Sequence, residues 1–470
     1  MKKFCKETDI LTMREQAAVM DDILKDRLQN LMPRLLRETG YDMWLVLCRE
    51  YNEDPVFSTL TPFLMQNASR LCCLIFSLSK DGKYEALNLS RPNGALSPYY
   101  THCYDPKTQT QYEAIVKVVK DRGAEKIAVN VSPHCAMGDG LSHQLWCDLQ
   151  KELGDRLVCD DRMAVRWLET RTEKELQLYR DIYKIAMDIQ KEAYSAEVIT
   201  PGVTTTTDVE WYIMQRINDM GLSFWFSPDV DLQRKGCDGA RMSGVVIEKG
   251  DLLHTDMGLT YLGLNTDSQR LAYVPRDGET EVPAGILAGM KKANRFQDIV
   301  RENYVEGHTG NEIFAAAVKQ GKEEGIRPML YTHPIGFYGH GAGPTIGLYD
   351  NQGFVPGNGE RPLHDSTCYA LELNVLEPVP EWGGQDVWFY VEETIAFSGG
   401  ETFFLDPDRD KIQLVKYTEK KTGFAKTRLF CFFHKYRQVP FVPFPESEKT
   451  GDFPLRRGLF PAMMRVPNIR

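Results

Sequence analysis

Two aspartates in the segment HTDMGLTYLGLNTDSQR, residues 254–270, are the first residues whose type and spacing suggest shared chemistry. The segment alternates as a hairpin does, and we predict its turn between Tyr261 and Leu262, midway between Asp256 and Asp267. That register would place the two carboxylates opposite each other, with Cβ atoms roughly 4.5–5.5 Å apart. Because like charges at that distance destabilise a sheet, the pair predicts a role that needs both acids, such as cation binding.

Three later segments add one imidazole and two more carboxylates. His340 lies in the glycine-rich loop THPIGFYGHGAGPTIGLYD, Glu372 in the apolar strand YALELNV and Glu392 in the strand WFYVEETIAF. Burying a lone carboxylate in such a strand is costly, whereas oxygen ligands with one imidazole suit Mn, Fe, Co or Zn ions. Two ions roughly 3.5–4 Å apart, bridged by carboxylates, would turn the repulsion into coordination.

Each of these residues has a more ordinary interpretation when it is taken alone. A hairpin aspartate usually serves a turn or a salt bridge, Glu392 beside Glu393 fits an exposed strand edge, and a loop histidine is usually held by its neighbours. Only the complete set, in the order strand, strand, loop, strand, strand, favours a metal centre.

The residues upstream of these segments predict an α/β domain. An amphipathic helix over 12–37 ends at Gly40, and the apolar runs DMWLVLC, LCCLIFSL and KIAVNVS alternate with helical patterns near 110–121 and 142–153. We place the end of this domain near residue 165, before a long helix that begins at the capping-box pair Thr172 and Glu175. The YNED stretch at 51–54 is expected to be a solvated loop, or to reach a neighbouring site across a dimer.

An internal repeat follows. TPGVTTTTDVEWYIMQRINDMG begins at Thr200, and VEGHTGNEIFAAAVKQGKEEG begins at Val305. Gly202 and Gly307 are 105 residues apart, as are Thr204 and Thr309, and each copy follows a helical pattern and precedes strand-like sequence. This spacing is too long for a solenoid repeat. A duplicated half-domain with a pseudo-two-fold axis explains it, and chance similarity between helix starts is the alternative.

Composition narrows the class of protein. The 470 residues carry a net charge of −10, which disfavours nucleic acid as a partner. The segment 411–470 is the exception, with 13 Lys and Arg against 4 Asp and Glu, and is expected to be a solvated extension or a subunit contact. The eleven cysteines form no CxxC pattern and are expected to be reduced thiols. No window resembles a membrane span or a signal peptide, so a cytoplasmic protein without membrane contact is expected.

The five segments together resemble the pita-bread metallohydrolases, which include Xaa-Pro aminopeptidase, prolidase, methionine aminopeptidase and creatinase. The resemblance is carried by TDMG at Asp256, NTDSQR at Asp267, GHGAG at His340, ALELNV at Glu372 and VEETIAF at Glu392. It covers roughly residues 165–405. It extends more weakly to the N-terminal region, where GYDMWLVLCREYNED is similar to the N-terminal domain of Xaa-Pro aminopeptidases, the closest members in layout.

The resemblance implies an α/β N-terminal domain (1–165), an α+β pita-bread catalytic domain with an internal pseudo-two-fold repeat (166–408) and a basic extension (409–470). It also implies two divalent ions, most favourably Mn, with Co, Zn or Fe as alternatives. Asp256 would bind one ion, Asp267 and Glu392 would bridge, and His340 would bind the second ion. Glu372 would be both a ligand and the general base for a metal-bridging hydroxide that attacks an amide carbonyl.

The same resemblance implies that Thr266 or Thr394 orients ligands, and that the N-terminal domain covers the site or builds a homodimer. The sequence departs from the Xaa-Pro aminopeptidase pattern at two histidines, one upstream of Asp256 and one after His340. Four residues are candidates to replace these histidines. His333 is the catalytic candidate, and the substrate-binding candidates are His254, Tyr349 and Arg234. His254 is equally compatible with a place in the core.

These observations predict a dinuclear metallopeptidase that cleaves a peptide or small amide, with Xaa-Pro aminopeptidase- or dipeptidase-like specificity. A creatinase-like hydrolase of a non-peptide amide or amidine is one alternative. A catalytically silent binding protein on the same fold is another, and the missing histidines and the basic tail keep it open.

Overall fold

The computed structural model describes residues 10–237 and 239–416, and this part of the chain forms one compact unit. The predicted division at residue 165 is therefore not visible as a separation into two bodies, and it stays a prediction. Most of the predicted basic extension lies outside the described residues.

In the N-terminal part, the structure describes five α-helices and a mixed six-stranded sheet from residue 10 onward. The helices are α1 (Met13–Asp26), α2 (Met32–Thr39), α3 (Gln111–Arg122), α4 (His143–Leu153) and α5 (Arg162–Glu169). The strands are β1 (Met43–Arg49), β2 (Leu71–Leu78), β3 (Tyr84–Asn88), β4 (Thr101–His102), β5 (Ile127–Val129) and β6 (Leu157–Cys159), in the spatial order β4-β3-β2-β1-β5-β6. The α/β prediction for this region is confirmed.

Local sequence explains these elements. The predicted helix over 12–37 forms as α1, a π-helical turn and α2. It begins at the Thr12–Glu15 capping box and ends at Gly40, whose φ of +72° satisfies the left-handed C-cap. Strand β1 is apolar from Met43 to Cys48 because it is covered on both faces: Trp44 packs into the cluster on one side and Leu45 into the cluster on the other.

The described residues of the C-terminal part, up to residue 416, form four α-helices and two sheets. The helices are α6 (Glu173–Ala193), α7 (Thr206–Asp219), α8 (Ala284–Glu302) and α9 (Gly310–Glu323). The strands are β7 (Ser223–Phe224), β8 (Asp229–Gln233), β9 (Leu252–Met257), β10 (Leu259–Tyr261), β11 (Leu264–Asn265), β12 (Ser268–Tyr273), β13 (Pro328–Leu330), β14 (His333–Pro334), β15 (Thr367–Val379), β16 (Gln385–Ser398), β17 (Glu401–Phe404) and β18 (Gln413–Leu414). The large sheet has the core order β13-β15-β16-β12-β9-β8, and β11-β10-β7 form the small sheet.

The internal repeat is visible in the backbone. Gly202 and Gly307 both adopt left-handed φ, and their N–H groups donate to Ile247 and Leu363 at the same distance, 2.8 Å. The helices that follow, α7 and α9, begin at the capping residues Thr205 and Thr309. These caps are 104 residues apart, so the first copy holds one extra residue after its glycine, and the predicted pairing of Thr204 with Thr309 is wrong by one.

The aspartate hairpin forms with a register different from the predicted one. Leu262 and Gly263 both have positive φ and make a two-residue turn, as a type I′ turn requires. The turn therefore lies one residue later than predicted, and Gln269, not Asp267, is opposite Asp256. Because the register changes by two residues, both aspartates stay on the same face of the sheet. The expected face-to-face pair is replaced by a diagonal one.

The YNED stretch is solvated only in part, because Tyr51 is exposed whereas Asp54, at its end, is buried. Its carboxylate accepts hydrogen bonds from Asn130 Nδ2 at 2.9 Å and the Val56 amide at 3.0 Å. Burial nevertheless raises its pKa to about 6. The folded state therefore holds a proton that the unfolded state has released between about pH 4 and 6, and stability falls as the pH rises through this range.

We expect Asp54→Asn to remove this dependence. The free energy of unfolding of the variant minus that of wild type should increase by on the order of 2–3 kcal/mol as the pH rises from 4 to 7. Urea unfolding at a series of pH values measures it. A difference that does not vary with pH would contradict the assignment.

Candidate metal centre

Four strands of the large sheet bring acids into one row. Asp256 on β9 and Glu392 on β16 both lie opposite Gln269 on β12, and Glu372 on β15 lies opposite Glu392. Residues in such register share one face of a sheet. Asp267, two residues before Gln269, belongs to the same face. The strands thus bring together all four acids that the sequence predicted.

Two groups of side chains have ligand atoms within 4.8 Å of one another. One consists of Asp267, His333 and Glu392, and the other of Asp256, Glu372 and Glu392. Glu392 belongs to both groups, which is the arrangement that a bridging carboxylate between two ions requires.

Five polar atoms of this cluster lack protein partners among the described residues. Buried oxygens and one nitrogen without a hydrogen bond are Asp256 Oδ1, Asp267 Oδ1, Glu392 Oε1, Glu392 Oε2 and His333 Nε2. Orphaned groups of this kind cost free energy unless a ligand or ion satisfies them. The donor set, hard oxygens with one imidazole nitrogen, fits a divalent ion of the Mn, Fe, Co or Zn type.

The pKa values of the acids also indicate a site for a cation. Burial, reinforced by Asp267 and Glu372, raises the pKa of Asp256 and of Glu392 well above its ordinary value. Burial raises the pKa of Glu372 to about 7, against the opposing charge of His333. Without a cation the protein has to protonate these groups in order to hold them together.

His333 takes the position in the cluster where His340 was expected. Its Nε2 lies 3.6 Å from Asp267 Oδ2 and 3.7 Å from Glu392 Oε1. Its Nδ1 lies 3.0 Å from the Pro334 carbonyl, an acceptor, so Nδ1 carries the proton and the Nε2 lone pair faces the acids. Burial lowers the pKa of His333, but hydrogen bonding to Asp267 and the charges of Asp267 and Glu372 raise it overall.

His340 is exposed. Among the residues that the structure describes, it belongs to neither of the two groups of ligand atoms. Its ring packs edge-on against His333 at 4.6 Å and against Trp225 at 5.2 Å between ring centroids. The protein around it and the neighbouring His333 lower its pKa, so it is neutral at physiological pH. The geometry therefore favours His333 over His340 as the imidazole ligand and leaves His340 beside the centre.

The two threonines that were expected to orient ligands act on the backbone. Thr394 Oγ1 donates to the Asp267 carbonyl at 3.0 Å, which ties β16 to the start of β12. Thr266 Oγ1 accepts from the Leu259 amide at 3.2 Å, and its carbonyl accepts from Trp225 Nε1 at 2.8 Å. Both contacts fix the chain next to Asp267.

The three expected substrate-binding residues lie in different surroundings. Arg234 binds both carboxylate oxygens of Asp251 at 2.7 Å, away from the acids of the centre. Tyr349 is exposed and packs edge-on against Tyr331. His254 is buried, which is the core position that the sequence left open. Their part in substrate binding stays a prediction.

Sequence reasoning missed Gln269 and Arg241. Gln269 Nε2 donates to Glu372 Oε1 at 2.6 Å, and Arg241 Nε donates to Asp231 at 3.0 Å beside His254. The position of Gln269, two residues after Asp267 and so on the same strand face, was a usable signal. Arg241 lies in an irregular loop, and no periodicity marks it.

A cluster of acids and one imidazole on a mixed sheet could hold a metal ion, as the centre of a metal-dependent enzyme does. Residues 177–396, which contain all of these acids and both loop histidines, match the model of Metallopeptidase family M24. This part of the chain is therefore similar to the metallopeptidase family M24, and the similarity supports hydrolase activity. No curated protein matches the chain in sequence.

Solved structures share the fold over most of the chain. An X-Pro aminopeptidase from Thermotoga maritima has a TM-score of 0.58 at 17% identity, covering 81% of this chain and 100% of its own. A Xaa-Pro dipeptidase from Bacillus anthracis has a TM-score of 0.55 at 15% identity, covering 86% and 100%. A variant of Escherichia coli aminopeptidase P in complex with substrate has a TM-score of 0.54 at 14% identity, covering 82% and 95%.

Proposed function

We propose that this chain is a dinuclear metallopeptidase that cleaves peptide bonds next to proline. The observation that carries the proposal is the convergence of orphaned ligand atoms from Asp256, Asp267, His333 and Glu392, with Glu372 beside them. These residues would hold two divalent ions, with Glu392 shared between them. Ions bound there would lower the pKa of water and polarise a carbonyl.

Glu372 is the general base in this proposal. Its carboxylate lies in the same cluster as Asp256 and Glu392, where it can take up a proton and return it during the reaction. Gln269 holds one of its oxygens, which leaves the other oxygen for the proton of the attacking water. The base then returns this proton to the leaving amine, because a poor leaving group departs only when it is protonated.

His340 is the substrate-binding histidine. It is exposed beside the cluster and neutral, so it can hydrogen-bond a peptide group without repelling the ions. Trp225 holds its ring, and Gly258 and Gly339 make room for the Trp225 indole, because a Cβ at either position would collide with it. The proposal thus assigns His333 to the metal and His340 to the substrate.

The choice of an Xaa-Pro bond is supported by the names of the structural neighbours, which are X-Pro aminopeptidase and Xaa-Pro dipeptidase. Manganese, the homodimer and the cytoplasmic location stay predictions. Within the described residues, the helices are too short or too polar to cross a bilayer.

The test measures metal content and hydrolysis of Xaa-Pro dipeptides and tripeptides with added Mn or Co, for the wild type and two variants. We expect His333→Ala to weaken Mn²⁺ binding by more than the roughly 10–100-fold that loss of an outer contact costs. His340→Ala should retain the metal and lose roughly 2–13-fold in kcat/KM, as expected for one neutral hydrogen bond of about 0.5–1.5 kcal/mol.

Three results would contradict parts of this proposal. Metal loss in His340→Ala but not in His333→Ala would restore the ligand that the sequence predicted. Metal binding without peptide turnover would favour a creatinase-like amide or amidine hydrolase. A wild-type chain without metal would favour a silent binding protein.

A further inference from the structure

Gln269 is the uncharged member of the row formed by Asp256, Gln269, Glu392 and Glu372. Its side chain is buried, and its Nε2 donates to Glu372 Oε1 at 2.6 Å and to Asp256 Oδ2 at 3.3 Å. These two acids lie on β15 and β9, which are not neighbours in the sheet. A single amide therefore joins two carboxylates that the backbone does not hold directly.

The amide can make these contacts in one orientation only. With its NH₂ group toward the acids, its oxygen faces His254 Nε2 at 2.9 Å and accepts a hydrogen bond when that nitrogen carries the proton. The opposite orientation would place the amide oxygen against two carboxylates and its NH₂ against the imidazole N–H. His254 thus fixes the direction of the amide.

His254 is itself held from its other side. Its Nδ1 lies 2.9 Å from Asp231 Oδ2, and its ring packs on Tyr390 with centroids 5.2 Å apart. Arg241 donates to the same aspartate and lies over the Tyr390 ring at 4.4 Å. The imidazole is therefore clamped between an anchored carboxylate and an aromatic face.

We propose that Gln269, oriented by His254, is a positioning residue that sets the distance between Asp256 and Glu372. An uncharged donor suits this task, since a Lys or Arg at this position would compete with a cation for the same oxygens. The amide occupies one oxygen of each acid and leaves Asp256 Oδ1 without a protein partner, free for an ion. The inference rests on the proposed function, in which Asp256 is a metal ligand and Glu372 is the general base.

Gln269→Met tests this role because methionine keeps the length and burial of the side chain and loses its hydrogen bonds. We expect Mn²⁺ affinity, measured by calorimetry on the full chain, to fall roughly 10–100-fold. The value of kcat should fall by a similar factor while KM changes far less, which a merely structural role would not produce. Gln269→Asn serves if the methionine variant does not fold.

Gln297→Met is the matched control. Gln297 is equally buried on α8, but its contacts are the Leu371 carbonyl and Arg409. Its loss should lower the melting temperature without changing Mn²⁺ affinity. Equal Mn²⁺ affinities for Gln269→Met and wild type would overturn the proposal.

A double-mutant cycle tests the part of His254. If His254 acts through Gln269, His254→Phe combined with Gln269→Met should match Gln269→Met alone in Mn²⁺ affinity and kcat. Additive losses would overturn the link. A wild type that binds Mn²⁺ but hydrolyses no peptide would overturn the proposed reaction, while the role of Gln269 could still be tested by Mn²⁺ affinity. A wild type without Mn²⁺ affinity would overturn both the proposed reaction and the role of Gln269.

Discussion

Replacing Glu372 with glutamine is expected to lower kcat for Xaa-Pro peptides by roughly 10²–10⁴, the usual contribution of a general base. The carboxamide keeps the size and one oxygen of the side chain but cannot take up a proton. Metal should remain bound, because Asp256, Asp267, His333 and Glu392 are unchanged. Steady-state kinetics with metal analysis of the same preparation measures both quantities.

The same substitution should stabilise the metal-free protein. Glu372 is buried among acids, and its charge is resisted by burial and by Asp267. Removing that charge should raise the free energy of unfolding of the metal-free chain at pH 8 by on the order of 1–3 kcal/mol. If Glu372→Gln loses activity and gains stability, Glu372 serves catalysis and does not stabilise the fold.

Glu377→Gln is the control on the same strand. Glu377 lies five residues further along β15 and pairs with Lys292 at 2.6 Å, a partly exposed ion pair worth about 0–1 kcal/mol. Its kcat should equal that of wild type. Wild-type kcat in metal-loaded Glu372→Gln would remove Glu372 from the reaction.

The acids of this centre were predictable because their surroundings in the sequence are so apolar. A carboxylate between Leu, Val, Tyr and Phe in a strand has few reasons to exist other than an ion. The alternation of side chains along β16 also distinguishes Glu392 from its neighbour. Glu392 lies on the same face as Glu372, whereas Glu393 lies on the other face and pairs with Arg270 at 2.6 Å. The period-two alternation of side chains along a strand makes this distinction readable in the amino-acid order alone.

Which imidazole joins the cluster was not predictable in the same way. His333 and His340 lie in one irregular, glycine-rich loop, where no periodicity says which ring turns inward. The choice depends on β14, the two-residue strand His333–Pro334, which pairs with Ala370 and Tyr369 on β15 and so carries His333 to the sheet. A pairing this short leaves no pattern in the sequence.

The predicted register of the aspartate hairpin was wrong for a related reason. The prediction centred the turn between the two aspartates, but the chain turns at Leu262 and Gly263, and leucine rarely adopts positive φ. Burial of Leu262 with Leu264 against the core holds that conformation. Tertiary packing, which the local sequence does not encode, decided the register and placed Gln269 among the acids.

Removing metal is expected to abolish hydrolysis and to make stability depend on pH. In the metal-free chain the pKa values of Asp256, Glu372 and Glu392 are raised, while the same groups in the unfolded chain have ordinary values near 4. Between about pH 4 and 7 the folded state thus binds more protons than the unfolded state. Stability therefore falls as pH rises through this window.

Bound ions reverse that trend, because they replace the protons and bind more tightly as the acids ionise. At 100 times its dissociation constant, Mn²⁺ should add about 2.7 kcal/mol to the free energy of unfolding. The difference in melting temperature between loaded and chelator-treated protein should widen from pH 5 to pH 8. Measuring both in an Asp54→Asn background removes the contribution of that buried acid, which titrates in the same range but lies outside the centre. If the two curves run parallel across this range, the acids are not held together by cations, and the metal centre has to be abandoned.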